Sequence, residues 1–527
     1  MSYIIKNPVG KHTYLYECEG YREDGKVMGH RKTVGKIDPV TGAPVYKQEY
    51  IQRMTAAGLQ VEGIQSQPLF SIDDVKNSSV LEFGLVHLLK KLALDSGLLS
   101  ALESAMPKFA SQVYSLASHL VASGDPFIYC EEWLRSVDIA DDVGPMSSQR
   151  ISELLRNVTF GMREKFYYEW AGKRSESEYL ALDITSVSSY SELIEDVEWG
   201  YNRDGDELPQ INLCLLTGET SKLPIYQTTY SGSLNDVSTL TTTLSKFDHI
   251  INGKPILTVM DKGFFSKKNV DNLLSTDKKF VIAVPFSSAF ARTQVAGQRD
   301  VDSIKNGLFI GGDSLRAVTK KRAWGSGHTV YAHIFYNPVR AVNSREKIVS
   351  KVIQMRDTAL SEPEKYINDD DYCKYLEFTK RRTGGFSVEI REDAIENACK
   401  HLGWLVIISN HIAEARDALR IYRTKDVVEK SFLKLKNSID LGRLRVHGDD
   451  AMQTKIFIGF VALVLLSQIH NVMFDHDLYK RWTMKQLLRI LSKQRVQVIK
   501  GSRIILPPTK EQRDIFTAFG IADCLLL

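Results

Sequence analysis

A chain of 527 residues is too long for one hydrophobic core and implies two to four domains. Its 43% hydrophobic and 25% charged residues are those of a soluble globular protein, and a net charge of only +4 excludes a polycation. The charge is uneven, however: residues 411–500 hold seventeen Lys/Arg against nine Asp/Glu. That favours a polyanionic partner for this stretch, the alternative being a solvated basic surface. The six cysteines show no CxxC and no zinc spacing, so a reducing cytoplasm is the expected compartment. The opening segment MSYIIKNPVGKHTY lacks the apolar stretch of a signal peptide.

Residues 1–70 read as a small β-rich unit, with strands in HTYLYECEGY and KVMGHRKTVGKI and a turn at DPVTG. Residues 71–175 turn helical, VLEFGLVHLLKKLALDSGLLSALESAM having apolar residues at helical spacing and a break at Gly97. From 176 to 285 the period changes. YLALDITSVSSYS, LPQINLCLLT and LPIYQTTYS read as strands, followed by a helix, the buried strand KPILTVM, a second helix and the strand KFVIAVP. The order β-β-β-α-β-α-β predicts a mixed α/β core. Residues 286–400 break that rhythm and read as an insertion with strands SLRAVTKKRAW and HTVYAHIFYN, then a long charged helix near 338–360. The core resumes over 401–470 with GWLVIISN. The apolar run IFIGFVALVLL at 456–466 is too short to span a bilayer and predicts a buried helix, so no membrane partner is expected. Residues 471–527 form a basic helical tail, in which Arg481, Lys485, Arg489 and Lys493 recur at four-residue spacing on one predicted helical face.

The most informative segment is IYRTKDVVEKSFLKLKNSID, 421–440. On a helix at about 100° per residue, Tyr422, Lys425, Glu429 and Lys436 share a stripe about 60° wide. Val428, Phe432, Leu435 and Ile439 form an adjoining apolar stripe. An ordinary amphipathic helix puts its charges opposite the core, whereas this one lines up a carboxylate, cations and a phenol beside it. The plain alternative is an amphipathic helix with i,i+4 ion pairs.

Two further carboxylates end apolar strands. Asp183 follows Leu-Ala-Leu in YLALDITSVSSYS, and Asp261 follows ILTVM in KPILTVMDKGF. Open α/β sheets place ligand sites at such strand ends. Taken singly, each Asp is equally a cap or turn residue. Together, Asp183, Asp261 and Glu429 supply three hard oxygen ligands, a set suited to two divalent cations engaged in phosphoryl transfer.

These residues carry a resemblance. The chain resembles DDE transposases of insertion sequences, in the group marked by a Tyr-x2-Arg-x3-Glu-x6-Lys helix, matched by Tyr422, Glu429 and Lys436. LALDITSVSSYSE, LPQINLCLLTGETSKLPIYQTTYSGSLNDVSTL, TVMDKGFFSKKNV and the front end GKHTYLYECEGYREDGKVMGHRKTVGKIDPVTG are similar to the group as well. The resemblance implies a ribonuclease H-like mixed-sheet core (176–285 and 401–470) interrupted by a β-rich insertion (286–400). It implies that Asp183, Asp261 and Glu429 are catalytic and hold two Mg²⁺ ions, with Mn²⁺ as a substitute. It further implies a helical region over 71–175 that binds DNA ends, and double-stranded DNA partners, namely terminal inverted repeats and target. A homodimer assembled on two ends and a nucleoid-associated cytoplasmic location follow from it. Tyr422 and Lys436 would contact phosphates near the cleaved end.

The Arg position of the signature is Lys425 in this chain, which keeps the charge and loses bidentate phosphate recognition. Arg423 lies about 120° around the helix from Glu429 and does not replace it. Trp324 in KKRAWGSGHTV is a candidate for stacking on a DNA base, the alternative being hairpin packing. Arg481, Lys485 and Arg489 are candidates for tracking a DNA backbone. Lys380, Arg381 and Arg382 are a further candidate phosphate contact or a solvated turn. Asp369, Asp370 and Asp371 read as a solvated loop, and Glu346 lacks the Tyr seven residues earlier that the signature needs. Two alternatives to an active transposase stay open: a decayed or repurposed DNA-binding relative, and a ribonuclease H-like nuclease or resolvase.

Overall fold

Strands and helices follow the predicted periods closely between residues 179 and 283. The computed structural model describes the chain except residues 1, 24–25, 40–41, 57–71, 140–142, 175–178, 201, 203–206, 235, 252–256, 297, 299–302, 326, 383, 424, 426–442 and 522–527. It divides into two units, Met1–Val80 with Gln497–Ile504, and Leu81–Val496 with Ile505–Leu527.

In the first unit β1 (Ser2–Val9), β2 (His12–Glu23), β3 (Lys26–Ile37) and β4 (Pro44–Tyr46) form an antiparallel meander. Gly10, at φ 62°, opens the tight β1–β2 turn, a conformation that costs glycine nothing. The helix Gln48–Ala56 lays Tyr50 on Leu15 and Val34, a core of three buried side chains. β5 (Ser79–Glu82) then leads into the helical region.

The second unit is built on one long mixed sheet. Its strands are β6 (Tyr179–Ser189), β7 (Gln210–Gly218), β8 (Pro224–Ser231), β9 (Leu257–Met260), β10 (Lys279–Ala283), β11 (Gly307–Ile310), β12 (Asp313–Trp324) and β13 (His328–Tyr336). The hairpin β14 (Leu376–Lys380) and β15 (Phe386–Ile390) stands apart, and β16 (Trp404–Ser409) and β17 (Arg443–Leu444) complete the set. The order is β11-β12-β13-β16-β10-β9-β6-β7-β8, with β17 paired to β6. β6, β9 and β10 run parallel, and the other pairs along this path are antiparallel. Every residue of β7 is buried, as expected of an apolar strand covered on both faces.

The segment 286–400 therefore splits into two parts. β11, β12 and β13 extend the main sheet through β16, whereas the Pro338–Ser361 helix packs with the β14–β15 hairpin around Val352, Met355 and Leu376. The apolar run at 456–466 belongs to a 27-residue helix, Asp449–Asp475, longer than the run alone suggests. Among the described residues it is the one helix long and apolar enough to cross a membrane. Its most apolar window is 78% buried within the protein. It packs on the helices Ala110–Ala122 and Ser148–Asn157 and on β8. Where it passes the helix Phe160–Gly172, the buried Arg163 donates to the Val158 carbonyl (2.5 Å) and to Thr454 Oγ1 (3.2 Å).

A buried histidine fixes the loop that leads to the signature segment. His333 on β13 is 0% exposed; its Nε2 lies 3.1 Å from the Ile412 carbonyl and its Nδ1 2.9 Å from Thr319 Oγ1. A carbonyl only accepts, so Nε2 carries the proton and Nδ1 accepts from the threonine. Burial pushes this imidazole down to about 4 from its ordinary 6.5. Between those values the unfolded chain binds the proton that the folded chain refuses. Stability is therefore complete above pH 6.5 and declines as the pH falls towards 4, by about 3 kcal/mol over the window. Urea unfolding of a His333→Gln variant is expected to lose this part of the acid dependence; an unchanged slope would assign it to other groups.

Candidate active site

Parallel pairing sets the two predicted aspartates level. Leu182 of β6 is in register with Met260 of β9, so the next residues, Asp183 and Asp261, stand level. Asp261 is the first residue past β9, as expected, whereas Asp183 lies within β6, which runs on to Ser189 and does not end at the aspartate. Level residues of a parallel pair share a face, and adjacent strands lie about 4.8 Å apart. Both residues are half-buried. The Ile184 N–H donates to Asp183 Oδ1 at 2.9 Å. Asp261 stands where the 3₁₀ turn Lys262–Phe264 begins, yet its side chain does not cap that turn. The carboxylate is instead engaged by the segment after β16.

That segment starts as the helix Ala415–Arg423, whose Ala418, Leu419, Ile421 and Tyr422 are buried. Tyr422 Oη donates to Asp261 Oδ1 at 2.9 Å, and Lys425 Nζ lies 3.5 Å from the same oxygen. The Lys425 side chain is 15% exposed and its ammonium sits 5.4 Å from the Tyr422 ring centroid. A phenol and an ammonium thus converge on one carboxylate oxygen, fixing its rotamer and balancing its charge. Of the predicted helix over 421–440, the described part runs to Arg423, Lys425 lies in a turn, and Glu429 and Lys436 lie outside the described residues. The apolar stripe Val428, Phe432, Leu435 and Ile439 lies outside them too.

Arg423 points elsewhere, as its place on the helix predicts. It pairs with Asp313 at 2.6 Å and donates to the Ile310 carbonyl, tying the helix end to the β11–β12 turn. Asn410 is a positioning residue that the sequence reading missed. Its Oδ1 accepts from the Phe280 N–H (3.1 Å) and its Nδ2 donates to the Lys278 carbonyl (2.8 Å), clamping the end of β16 to the start of β10. An Asn closing the apolar run GWLVIIS was the available signal.

The remaining candidates are dispersed. Trp324 is 8% exposed, donates from Nε1 to Asp271 Oδ1 at 2.7 Å, and packs beside Phe265 and Phe290. In this structure its ring fills a packed cluster and is not presented as a stacking surface. The expected basic face 481–493 needs correction. Thr483 caps the helix Met484–Ser492 through a reciprocal bond with Gln486, so Arg481 precedes the helix. Arg481 pairs with Asp514 at 3.0 Å and lies over the Trp482 ring, while Lys485 and Arg489 are exposed on the helix. Lys380, Arg381 and Arg382 are exposed at the tip of the β14–β15 hairpin. Asp369 caps a short helical turn by accepting from the N–H groups of Asp371 and Tyr372.

Comparison with known proteins agrees with this geometry in its location. No curated protein sequence matches the chain. The solved piggyBac transposase synaptic complex with hairpin DNA is similar over 85% of this chain and 77% of that one, at 11% identity and a TM-score of 0.32, a likeness too weak to carry an argument. The family model of the transposase DDE domain, by contrast, matches residues 174–465, more than half of the chain and the span containing Asp183, Asp261 and Tyr422. The chain belongs to the transposase DDE domain family.

Proposed function

We propose that the chain binds the terminal inverted repeats of its insertion sequence, cleaves the DNA at those ends and joins them to target DNA by Mg²⁺-dependent phosphoryl transfer. The observation that carries this reading is the register that sets Asp183 and Asp261 level, with Tyr422 and Lys425 closing on Asp261. β6 to β10 form the ribonuclease H-like part of the sheet in this reading, and two copies of the chain act on two DNA ends.

The donor chemistry fits Mg²⁺ in kind, since carboxylates are the hard oxygen ligands that this ion takes. Among the described residues no group of three or more His, Cys, Asp or Glu is assembled, and the third expected ligand, Glu429, lies outside them. Asp183, Asp261 and Glu429 would hold the ions, which when bound activate the attacking oxygen and stabilise the leaving one. Tyr422 orients Asp261 through its hydroxyl. Lys425 supplies a cation beside that carboxylate, a suitable partner for a DNA phosphate once the acid is otherwise engaged.

The test is a labelled duplex carrying the element's own end, incubated with the purified chain and Mg²⁺ beside a Glu429→Gln variant. Cleavage at the end, lost in the variant, is the expected result. Tight specific binding without cleavage by either protein would overturn the enzymatic reading in favour of a DNA-holding relative.

A further inference from the structure

A cavity of about 470 Å³ lies away from the carboxylates, between the helix Ser148–Asn157, the turn after the helix Ala110–Ala122, and the residues joining β17 to the helix Asp449–Asp475. Its size is that of a small-ligand site, typically ~300–1,000 Å³. Four of its lining residues carry or can carry positive charge, Arg156, Arg445, His447 and Lys455, against the one acid Asp125. Its lining also includes the apolar Leu155, Val446 and Phe127, and Lys455 Nζ stands 5.9 Å from the Phe127 ring centroid. Inorganic phosphate needs no apolar wall, and an apolar ligand needs no ring of cations. A nucleotide uses both, placing its phosphate on the cations and its base on the aromatic surface.

The approach to the cavity points to a nucleotide held within a strand. From Arg443 to His447 exposure alternates: Arg443, Arg445 and His447 are exposed, Leu444 is buried and Val446 half-buried. The three basic side chains are thus all on the exposed side of this segment, and the last two of them, Arg445 and His447, line the cavity. This row begins beside the strand that carries Asp183, because Arg443 on β17 is in register with Ser188 of β6. Ser188 lies five residues beyond Asp183, about 17 Å along a strand and about five nucleotides of duplex rise. Arg443 also sits 5.6 Å from the ring of Tyr190, which is 66% exposed and offers a further flat face at the start of the row.

We infer that this cavity receives one unpaired nucleotide of a DNA strand whose backbone follows Arg443, Arg445 and His447 away from the carboxylates. The inference rests on the proposed action on DNA, though its test does not require cleavage.

Binding of the full-length chain is read in EDTA by fluorescence anisotropy, with a 12-nucleotide single strand, its fully paired duplex and the same single strand with abasic sites. Ser152→Trp fills the cavity from an exposed lining position, and Arg445→Glu reverses charge at its mouth; melting temperatures verify folding. Single-strand affinity is expected to fall at least tenfold in both variants. Ser152→Trp should change duplex affinity less than twofold and leave the already weakened abasic strand unaffected. Single-strand binding by Ser152→Trp at the parental level would overturn the inference. So would abasic binding as tight as that of the normal strand, which would leave only a phosphate contact, or saturation by thymidine monophosphate at the oligonucleotide's affinity, which would assign the cavity to a free nucleotide. A chain that binds in this pattern yet cleaves no DNA end would refute the enzymatic reading and leave the cavity's assignment standing.

Discussion

Replacing Asp261 with Asn is expected to lower end cleavage by about a thousandfold or more while leaving the fold intact. The carboxylate is accessible, its side chain 31% exposed, and it touches Tyr422 and Lys425 at the site rather than packing in the core. Asparagine keeps the shape and one acceptor oxygen for the tyrosine but removes the charge that a divalent cation needs. A thousandfold loss corresponds to about 4 kcal/mol of transition-state stabilisation, in line with the several kcal/mol assigned to metal assistance. Tyr422→Phe is the informative companion. It removes the hydroxyl that orients the acid and should cost about tenfold, the effect of a displaced but still charged ligand. Initial cleavage rates on a labelled end duplex, with urea unfolding as the control, check both. An Asp261→Asn protein that cleaves within tenfold of the parent would remove this carboxylate from the chemistry.

The largest effect on stability is expected at Trp170. Its side chain is fully buried and its Nε1 donates to the Pro224 carbonyl at 2.8 Å, joining the helix Phe160–Gly172 to the first residue of β8. Around it Phe166, Tyr167, Tyr226, Phe457 and Phe460 pack ring to ring, mostly edge to face. Trp170→Ala opens a cavity in that cluster and strands a buried acceptor, an expected cost of about 3–5 kcal/mol. Trp170→Phe keeps most of the volume and should lose about 1–3 kcal/mol, chiefly for the unpaired carbonyl. Equilibrium urea denaturation measures both; equal losses in the two variants would show that packing contributes little at this position.

The sequence reveals the carboxylates because local rules determine them. Asp183 and Asp261 each follow a run of apolar residues, and strand period with turn chemistry places Asp261 at the end of its strand; for Asp183 the expected strand end is wrong, because β6 runs on through the aspartate to Ser189. That the two strands are neighbours and parallel is a matter of pairing at long range, which no local pattern encodes. The same limit applies to β11–β13. Their strand character is legible, but their attachment through β16 to the main sheet is not. Spacing predicts that Tyr422 and Lys425 face the same way, and the structure adds that both meet Asp261. Trp324 shows the reverse case: its partner Asp271 is 53 residues away, so nothing nearby announces that the ring is tied down. The basic face at 481–493 was misplaced by a signal that is local and readable, the Thr483 and Gln486 pair that starts the helix after Arg481.

The long apolar helix Asp449–Asp475 bears on the order in which the protein is made. The bond between Thr454 and the Val158 carbonyl spans 296 residues, and the helices Ala110–Ala122 and Ser148–Asn157, which cover much of Asp449–Asp475, come earlier in the chain, while the short turn Leu478–Lys480 that also packs on it follows. At roughly 5–20 residues per second, that cover leaves the ribosome roughly 15–60 s before the helix it must shield. A segment apolar enough to be mistaken for a membrane span thus emerges beside a surface already waiting for it. This long apolar stretch is made after most of the surface that shields it.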